Sequence, residues 1–238
     1  MQVYSEQHPA FDGDWHAHPC GQLIYARDGV LTIHTELRLW VVPPRRAVWI
    51  VPDTRHKGSA PKAFCLITLY VPPDLAPLPA QCTVFTVDQL LDALLCEAAG
   101  FDTTTPLDGS QTRLMQVILD RLSKLEAMRA FVPMPRDLRL VRLVSMIEQN
   151  PADSRSLEAL SAQSGMTART AARLFARETG MTFVQWRQQF RLLKAAQSLS
   201  LGESVANVSA EVGYSDVSSF IMVFKKAFGI TPARYFSA

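Results

Sequence analysis

Hydrophobic residues in the first third of the chain occur in short stretches that turn residues separate. Glycine, proline and aspartate stand between the stretches, as in Arg27-Asp28-Gly29. Strands at such spacing are typical of a small β-sandwich or barrel. The pattern therefore predicts strands at residues 23–25, 30–33, 39–42, 48–51 and 64–71.

Helical periodicity replaces this pattern after a proline-rich passage. Helices are predicted at residues 87–99 and 110–128, and the second carries apolar residues at spacings of four, four and three. This stripe has two interpretations: it packs on the barrel, or it pairs with its own copy in a homodimer. The prolines are Pro72, Pro73, Pro77 and Pro79, and the dimerisation candidates are Leu114, Ile118, Leu122 and Leu125.

An imperfect repeat fills the last part of the chain, after a break at Phe131-Val132-Pro133-Met134-Pro135. Gly165 matches Gly213 at an offset of 48. Each copy predicts a helix, a glycine turn and a second helix, at about residues 157–179 and 205–228. Thr167 and Ser215 are the predicted N-caps of the second helices, and Gly180 and Gly229 their ends. At an offset of 49, Phe175, Gly180 and Thr182 match Phe224, Gly229 and Thr231.

Each repeat has the requirements of a helix-turn-helix, in which the second helix enters the major groove of DNA. Ser161 and Ser209 supply the small residue where the two helices cross. Arginine forms bidentate pairs with guanine, so the first copy is suited to base reading. The second copy favours phosphate positioning, thymine-methyl contact or shape readout. The DNA-binding candidates are Thr167, Arg169, Thr170, Arg173, Arg177, Ser215, Val217, Ser218, Met222, Lys225 and Lys226.

Four runs in the last part of the chain form a recognisable pattern. They are Gly180-Met181-Thr182-Phe183, Arg191-Leu192-Leu193-Lys194-Ala195-Ala196, Gly213-Tyr214-Ser215-Asp216 and Phe224-Lys225-Lys226-Ala227-Phe228-Gly229-Ile230-Thr231-Pro232. Through these runs, residues 138–236 resemble the DNA-binding domain of the AraC/XylS family of bacterial transcription regulators. Ser161 and Ser209 depart from the family, which usually has alanine there. The resemblance implies a bent or linear site read in two successive major grooves, with RNA polymerase as a further partner.

The N-terminal part resembles the cupin barrel, a double-stranded β-helix, through His16-x-His18-x-x-x-Gln22 and Pro52-x-x-x-His56. In cupins such residues can bind a divalent metal, but Gln22 replaces the usual glutamate. Two interpretations stay open: the residues bind Zn, Ni, Co or Fe, or they line an organic-ligand pocket without metal. An effector pocket, or alternatively an aromatic core, is predicted from Trp15, Tyr25, Trp40 and Trp49.

Length and charge fit two domains with separate tasks. Residues 1–130 contain 11 lysines and arginines against 14 acidic residues, a balance of −3, whereas residues 131–238 contain 13 against 8, a balance of +5. A basic C-terminal part suits contact with nucleic acid. Apolar runs fall short of the roughly 18 residues of a membrane span, and the N-terminus shows no secretory signal, so a cytoplasmic protein without membrane contact is expected.

Together these features predict an α+β protein that regulates transcription. A cupin-like barrel at residues 1–85 senses a small-molecule effector, residues 86–130 form a helical dimerisation segment, and residues 136–238 bind double-stranded DNA. The protein is not expected to be an enzyme. The alternative is a cupin metalloenzyme, an oxygenase or isomerase, fused to a DNA-binding domain.

Overall fold

The computed structural model describes residues 1–75, 78–125, 131–229 and 231–235. The sequence features at Pro77, Ile230 and residues 126–128 and 236 lie outside these ranges. The chain forms two compact units. The N-terminal unit comprises Met1–Thr35 and Val42–Ala130, and the C-terminal unit comprises Glu36–Val41 and Phe131–Ala238.

The described chain is β-rich at first and helical afterwards. The strands are β1 (Gln2–His8), β2 (Phe11–Asp12), β3 (Gly21–Asp28), β4 (Leu31–Thr35), β5 (Arg38–Val42), β6 (Arg46–Ile50), β7 (His56–Ala60), β8 (Phe64–Val71), β9 (Thr83–Thr86) and β10 (Phe131–Pro133). The helices are α1 (Gln89–Ala99), α2 (Gly109–Ser123), α3 (Leu138–Gln149), α4 (Leu157–Gln163), α5 (Ala168–Thr179), α6 (Phe183–Ser200), α7 (Val205–Glu211), α8 (Val217–Phe228) and α9 (Pro232–Tyr235). The described helices include none that is both long and apolar enough to cross a membrane.

Antiparallel pairing organises the cupin-like barrel of the N-terminal unit. One sheet has the strand order β1-β8-β3-β6-β9. In the other, β7 pairs with both β4 and β2. The five predicted strands are confirmed, and β1, β2, β7, β9 and β10 are additional. Strand β3 lies at the centre of its sheet, and this position accounts for the burial of six consecutive residues from Gly21 to Ala26.

Helices α1 and α2 belong to the same core as the barrel. Leu91 and Leu95 of α1 are buried together with Leu23 of β3. Ile118 and Leu122 of α2 join this core with exposed fractions of 0% and 2%. The structure thus joins the predicted segments 1–85 and 86–130 into one unit, because the apolar face of each helix covers barrel side chains.

The dimerisation stripe needs a correction for the same reason. Ile118 and Leu122 are enclosed by their own chain, and Leu114 and Leu125 are partly buried against the same cluster. These four side chains therefore follow the first interpretation, packing on the barrel. They do not form an exposed stripe for a second copy.

The C-terminal unit combines a short strand pair with the helices. Strand β5 pairs with β10, with Trp40 opposite Phe131. Trp186 of α6 donates its indole N–H to the carbonyl of Pro133 at 2.7 Å and stacks on Phe190, with ring centroids 5.3 Å apart. Phe131–Pro133, the first residues of the segment predicted as the boundary, therefore form a strand that α6 contacts, and the C-terminal unit begins there. Residues 36–41 group with this unit.

Helix boundaries in the C-terminal unit follow capping chemistry. Thr167 accepts from the N–H of Thr170, and Gly180 and Gly229 end α5 and α8 in the left-handed conformation, as predicted. The predicted N-cap Ser215 is wrong by one residue. Asp216 caps α8, because its carboxylate reaches the N–H groups of both Ser218 and Ser219.

Candidate DNA-reading surface and sensor site

Helix α5 presents an exposed basic face in the first helix-turn-helix. Arg169 and Arg173, one turn apart, are both exposed. Thr167 and Thr170 are joined by a 3.0 Å hydrogen bond between their hydroxyls at the start of the helix. Arg177 is exposed at the other end and pairs with Glu178 at 3.2 Å. The predicted residues therefore lie on α5 or at its N-cap, and the three arginines are exposed.

Helix α8 presents a different surface in the second helix-turn-helix. Val217 is 37% exposed and Met222 is 67% exposed. Ser215 and Ser218 are exposed near the N-terminus of the helix, and Lys225 and Lys226 are exposed in its last turn. Ser219 also lies on this exposed side, which the sequence pattern did not identify. Apolar and hydroxyl groups thus occupy the places where α5 has arginine.

The two motifs share their internal construction. Gly165 and Gly213 adopt φ values of +74° and +82°, in the left-handed region that favours glycine. Ser161 and Ser209 are buried, with exposed fractions of 0% and 1%, in α4 and α7. Neither serine hydroxyl has a hydrogen-bond partner within the described part of the chain. Small size, rather than polarity, therefore suits these serines to their positions.

Three histidines of the N-terminal unit converge as their motif predicts. The candidate ligand nitrogens of His16, His18 and His56 all lie within 4.8 Å of one another. The segment of His16 is joined to His56 by two backbone hydrogen bonds, of 3.0 and 2.9 Å, in an isolated bridge. His16 and His18 both precede β3 and do not lie in a strand, and the bridge to His56 fixes the backbone position of His16.

Backbone carbonyls fix the orientation of all three imidazoles. The Nδ1 atoms of His16, His18 and His56 lie 2.9, 2.7 and 2.8 Å from the carbonyl oxygens of Asp14, Cys20 and Thr54. A carbonyl oxygen only accepts, so each Nδ1 carries the proton in the neutral imidazole. The lone pairs of the neutral rings are therefore on Nε2. Burial also lowers the pKa of His56, which favours its neutral form.

Gln22 lies beside the histidines, as predicted, and is hydrogen-bonded to Tyr70. The Oε1 atom of Gln22 lies 2.9 Å from His18 Nε2 and 3.0 Å from His56 Nε2. The amide of Gln22 donates to the hydroxyl of Tyr70 at 3.1 Å, across the β3–β8 pair. Sequence reasoning missed Tyr70, since only the strand register brings it opposite Gln22.

Within the described residues, the four predicted pocket aromatics have four different environments. Trp15 is exposed beside the guanidinium of Arg55. Tyr25 is buried and donates to Asp92 of α1 at 2.8 Å. Trp40 is fully buried in the C-terminal unit, on β5. Trp49 lines a cavity of about 250 Å³ together with Val51, Val71 and Leu78.

A second cavity of the N-terminal unit, of about 470 Å³, lies beside Tyr70 and Cys20. Its apolar lining includes Phe101, Leu107 and Met115. Small-molecule sites commonly have volumes of about 300–1,000 Å³, with mostly apolar walls and a few polar groups. This cavity therefore has the size for a small organic ligand.

Family models match the N-terminal and C-terminal parts of the chain separately. Residues 1–99 match the AraC-like ligand binding domain, and residues 160–238 match a helix-turn-helix domain. The transcriptional regulator NimR of Escherichia coli K12 is 34% identical over 220 residues, which are 92% of this chain and 81% of NimR. The regulator RipA of Corynebacterium glutamicum is 36% identical over 44% of this chain and 31% of its own length. The crystal structure of ToxT from Vibrio cholerae covers 99% of this chain and 97% of its own at 11% identity, with a TM-score of 0.44.

The chain belongs to the AraC family of transcription regulators. It joins a ligand-binding N-terminal domain with a cupin-like fold to a DNA-binding domain with two helix-turn-helix motifs.

Proposed function

We propose that α5 reads bases and that α8 mainly positions the protein on DNA. The observation that carries this proposal is the exposed pair Arg169 and Arg173 on one face of α5, against Val217 and Met222 on α8. Arginine discriminates guanine through two parallel hydrogen bonds, whereas valine and methionine offer only apolar contact. The lysines Lys225 and Lys226 supply phosphate contacts, which carry no sequence information directly.

A salt titration tests the DNA-binding part of this proposal. Full-length protein should retard a duplex from the promoter of its own gene, and its affinity should fall steeply as salt rises, because phosphate contacts release counterions. Lys225→Ala should reduce the salt slope by about one. Binding that does not depend on salt, or no binding to this duplex above that to an unrelated duplex, would contradict the proposal.

We further propose that His16, His18, His56 and Gln22 hold one divalent metal ion. With every Nδ1 protonated, the lone pairs of His18 and His56 face the Oε1 atom of Gln22, which also only accepts. A shared cation converts this repulsion into coordination by three nitrogens and one oxygen. Such a donor set suits Zn, Ni, Co or Fe. The bound ion would link the segments of His16 and His56 and stabilise this end of the barrel.

Elemental analysis of protein purified without a histidine tag tests the metal proposal. We expect one ion per chain, lost in His16→Ala and His56→Ala, and lost on acidification because protonated imidazole is not a ligand. A reversed amide is the competing arrangement: Gln22 then donates to both imidazoles and accepts from Tyr70. Wild-type protein with substoichiometric metal would support that arrangement and leave the histidines as pocket lining.

The effector is proposed to occupy the cavity of about 470 Å³ beside Tyr70. A ligand there would contact a hydroxyl that is bonded to Gln22, so ligand and metal would influence each other. Leu107 lines the cavity and is 37% exposed, so a larger side chain can fill the space without entering the core. Small molecules that raise the melting temperature of the wild type should fail to do so with Leu107→Trp. Equal shifts in both proteins would place the effector elsewhere.

Regulation of transcription at a promoter suggests the remaining partners. We propose that the protein is a homodimer in the cytoplasm, where it has access to chromosomal DNA. Support for the dimer comes from Leu90 and Val117, which are 52% and 44% exposed on α1 and α2. RNA polymerase is a further partner in this proposal, since a regulator bound beside a promoter changes transcription through the polymerase.

The three imidazoles also favour a second candidate function, a cupin metalloenzyme. We propose regulation without catalysis as the role of this chain. Turnover of a bound small molecule by metal-loaded protein, absent in His56→Ala, would establish the enzymatic alternative instead.

A further inference from the structure

Arg191, in the middle of α6, connects both helix-turn-helix motifs through one side chain. Its Nε donates to the carbonyl of Pro151 at 2.7 Å, and one Nη donates to the carbonyl of Asp153 at 3.0 Å. The other Nη donates to the carbonyl of Gly213 at 3.4 Å. Pro151 and Asp153 lie in the loop that leads into α4, and Gly213 is the turn glycine between α7 and α8. One guanidinium therefore spans the entry to the first motif and the turn of the second.

Gly213 approaches this guanidinium and the loop closely. A Cβ at Gly213 would lie 2.7 Å from Arg191 Nη2 and 2.9 Å from the Cα of Ala152. The φ of +82° also favours glycine. The turn of the second motif is thus packed directly against the loop that enters the first.

The environment of Arg191 suits a structural clamp. The hydrogen-bond acceptors of its guanidinium, among the described residues, are backbone carbonyls from two different segments. The group is half-buried, and this burial lowers its pKa. The planar guanidinium offers five donors in a fixed arrangement, which a lysine ammonium cannot reproduce.

We propose that Arg191 is a specificity-determining positioning residue that fixes the separation of the recognition helices α5 and α8, and with it the spacing between the two parts of the DNA site. Successive major grooves on one face of DNA are about 34 Å apart. A rigid link between the motifs therefore selects one spacing. The inference rests on the proposed assignment of α5 and α8 to DNA reading.

Arg187 provides a matched control on the same helix. It lies one turn before Arg191 and donates to the carbonyl of Arg155 at 2.8 Å, in the same loop. Its guanidinium also lies over the ring of Phe183, with 4.9 Å to the ring centroid. These contacts reach the entry to the first motif and not the turn of the second. Arg187→Met therefore removes a comparable bond without breaking the link between the motifs.

The first experiment measures the separation of the motifs in full-length protein without DNA. Spin labels are introduced through a keto amino acid at positions 172 and 219, which are exposed on α5 and α8, so the native cysteines stay unlabelled. We expect a narrow distance distribution in the wild type and in Arg187→Met, and a broad or displaced one in Arg191→Met. Arg191→Lys should give a distance distribution like that of Arg191→Met. If the methionine variant does not fold, the lysine variant is used for the test instead. An unchanged distribution in a folded Arg191 variant would overturn the clamp.

The second experiment uses selection from a library of random DNA duplexes. The wild type should enrich two short elements at one spacing, and the preference for that spacing over one base pair more or fewer should fall about fivefold or more in Arg191→Lys. Base preference within each element should persist. A preserved spacing preference, or an equal loss of preference at all bases, would overturn the inference. If the wild type enriches no sequence, the proposed DNA-reading function is contradicted. The distance measurement then still tests whether Arg191 fixes the separation of the two motifs.

Discussion

Gly165 and Gly213 occupy equivalent turns of the two helix-turn-helix motifs but meet different surroundings. Both have positive φ. A Cβ on Gly213 would lie 2.7 Å from the guanidinium of Arg191, whereas within the described chain a Cβ on Gly165 would have no neighbour within 4 Å. Glycine is thus required at position 165 only for the backbone conformation. At position 213 it is required for both the backbone conformation and the close packing.

Alanine substitution should separate these two roles. Gly165→Ala should lower the free energy of unfolding by about 1–2 kcal/mol, the cost of the left-handed conformation for a residue with a Cβ. Gly213→Ala should lose about 1–3 kcal/mol more, because the new methyl also displaces Arg191 and the loop at Ala152. Chemical denaturation of both variants checks this order. Equal losses would show that the close approach costs little.

Replacing the crossing serines with alanine should stabilise the C-terminal unit. The hydroxyls of Ser161 and Ser209 are buried without a hydrogen-bond partner among the described residues. Their removal should therefore raise the free energy of unfolding by about 1 kcal/mol each. Ser164→Ala is the control, because the hydroxyl of Ser164 is also buried but donates to the carbonyl of Leu160 at 3.0 Å. A loss of stability in Ser161→Ala comparable to that in Ser164→Ala would contradict this explanation.

Sequence patterns predicted the elements whose side chains are uniformly apolar or periodically placed. Strand β8 and helix α5 are examples, since burial on both faces or one apolar stripe leaves a clear signal. Strand β1 was missed because four of its seven residues are exposed, and β7 because it contains His56, Lys57 and Gly58. In these strands, pairing rather than side-chain burial determines the conformation.

Contacts between distant residues could not be predicted from spacing. The motif brought His16, His18, Gln22 and His56 together, but Tyr70 reaches Gln22 through the register of β3 and β8. Its aromatic character allowed Trp40 to line the effector pocket or to lie in an aromatic core, and in the structure it is fully buried. Its place in the C-terminal unit depends on the pairing of β5 with β10. No local pattern in the sequence predicts this pairing.

Adjacent residues of α2 should separate dimerisation from folding. Val117 is 44% exposed, whereas Ile118 is fully buried in the core of the N-terminal unit. Val117→Glu should give a folded monomer, and Ile118→Glu should unfold this unit, because a buried carboxylate has lost its hydration without a partner. Light scattering and circular dichroism measure the two effects. A Val117→Glu protein that remains dimeric would exclude this face of α2 from the interface.

Tyr70 should strengthen metal binding without being a ligand. Tyr70→Phe removes the hydroxyl that accepts the hydrogen bond from the Gln22 amide. Metal affinity should therefore fall by about 10–100-fold, the usual effect of removing a residue that hydrogen-bonds a metal ligand. Gln22→Glu should bind the ion more tightly, since a carboxylate is the stronger ligand. Isothermal titration with Zn, Ni and Co measures both changes. Unchanged affinity in both variants would remove Gln22 from the ligand set.

Base preference of the recognition-helix variants tests the central claim most directly. Selection from random duplexes should show that Arg169→Ala or Arg173→Ala relaxes the preference for guanine within one element, at a cost of about 1–3 kcal/mol for the preferred site. Lys225→Ala, on the other helix, should weaken binding to all sequences about equally. The claim is contradicted if both arginine variants keep the wild-type preference.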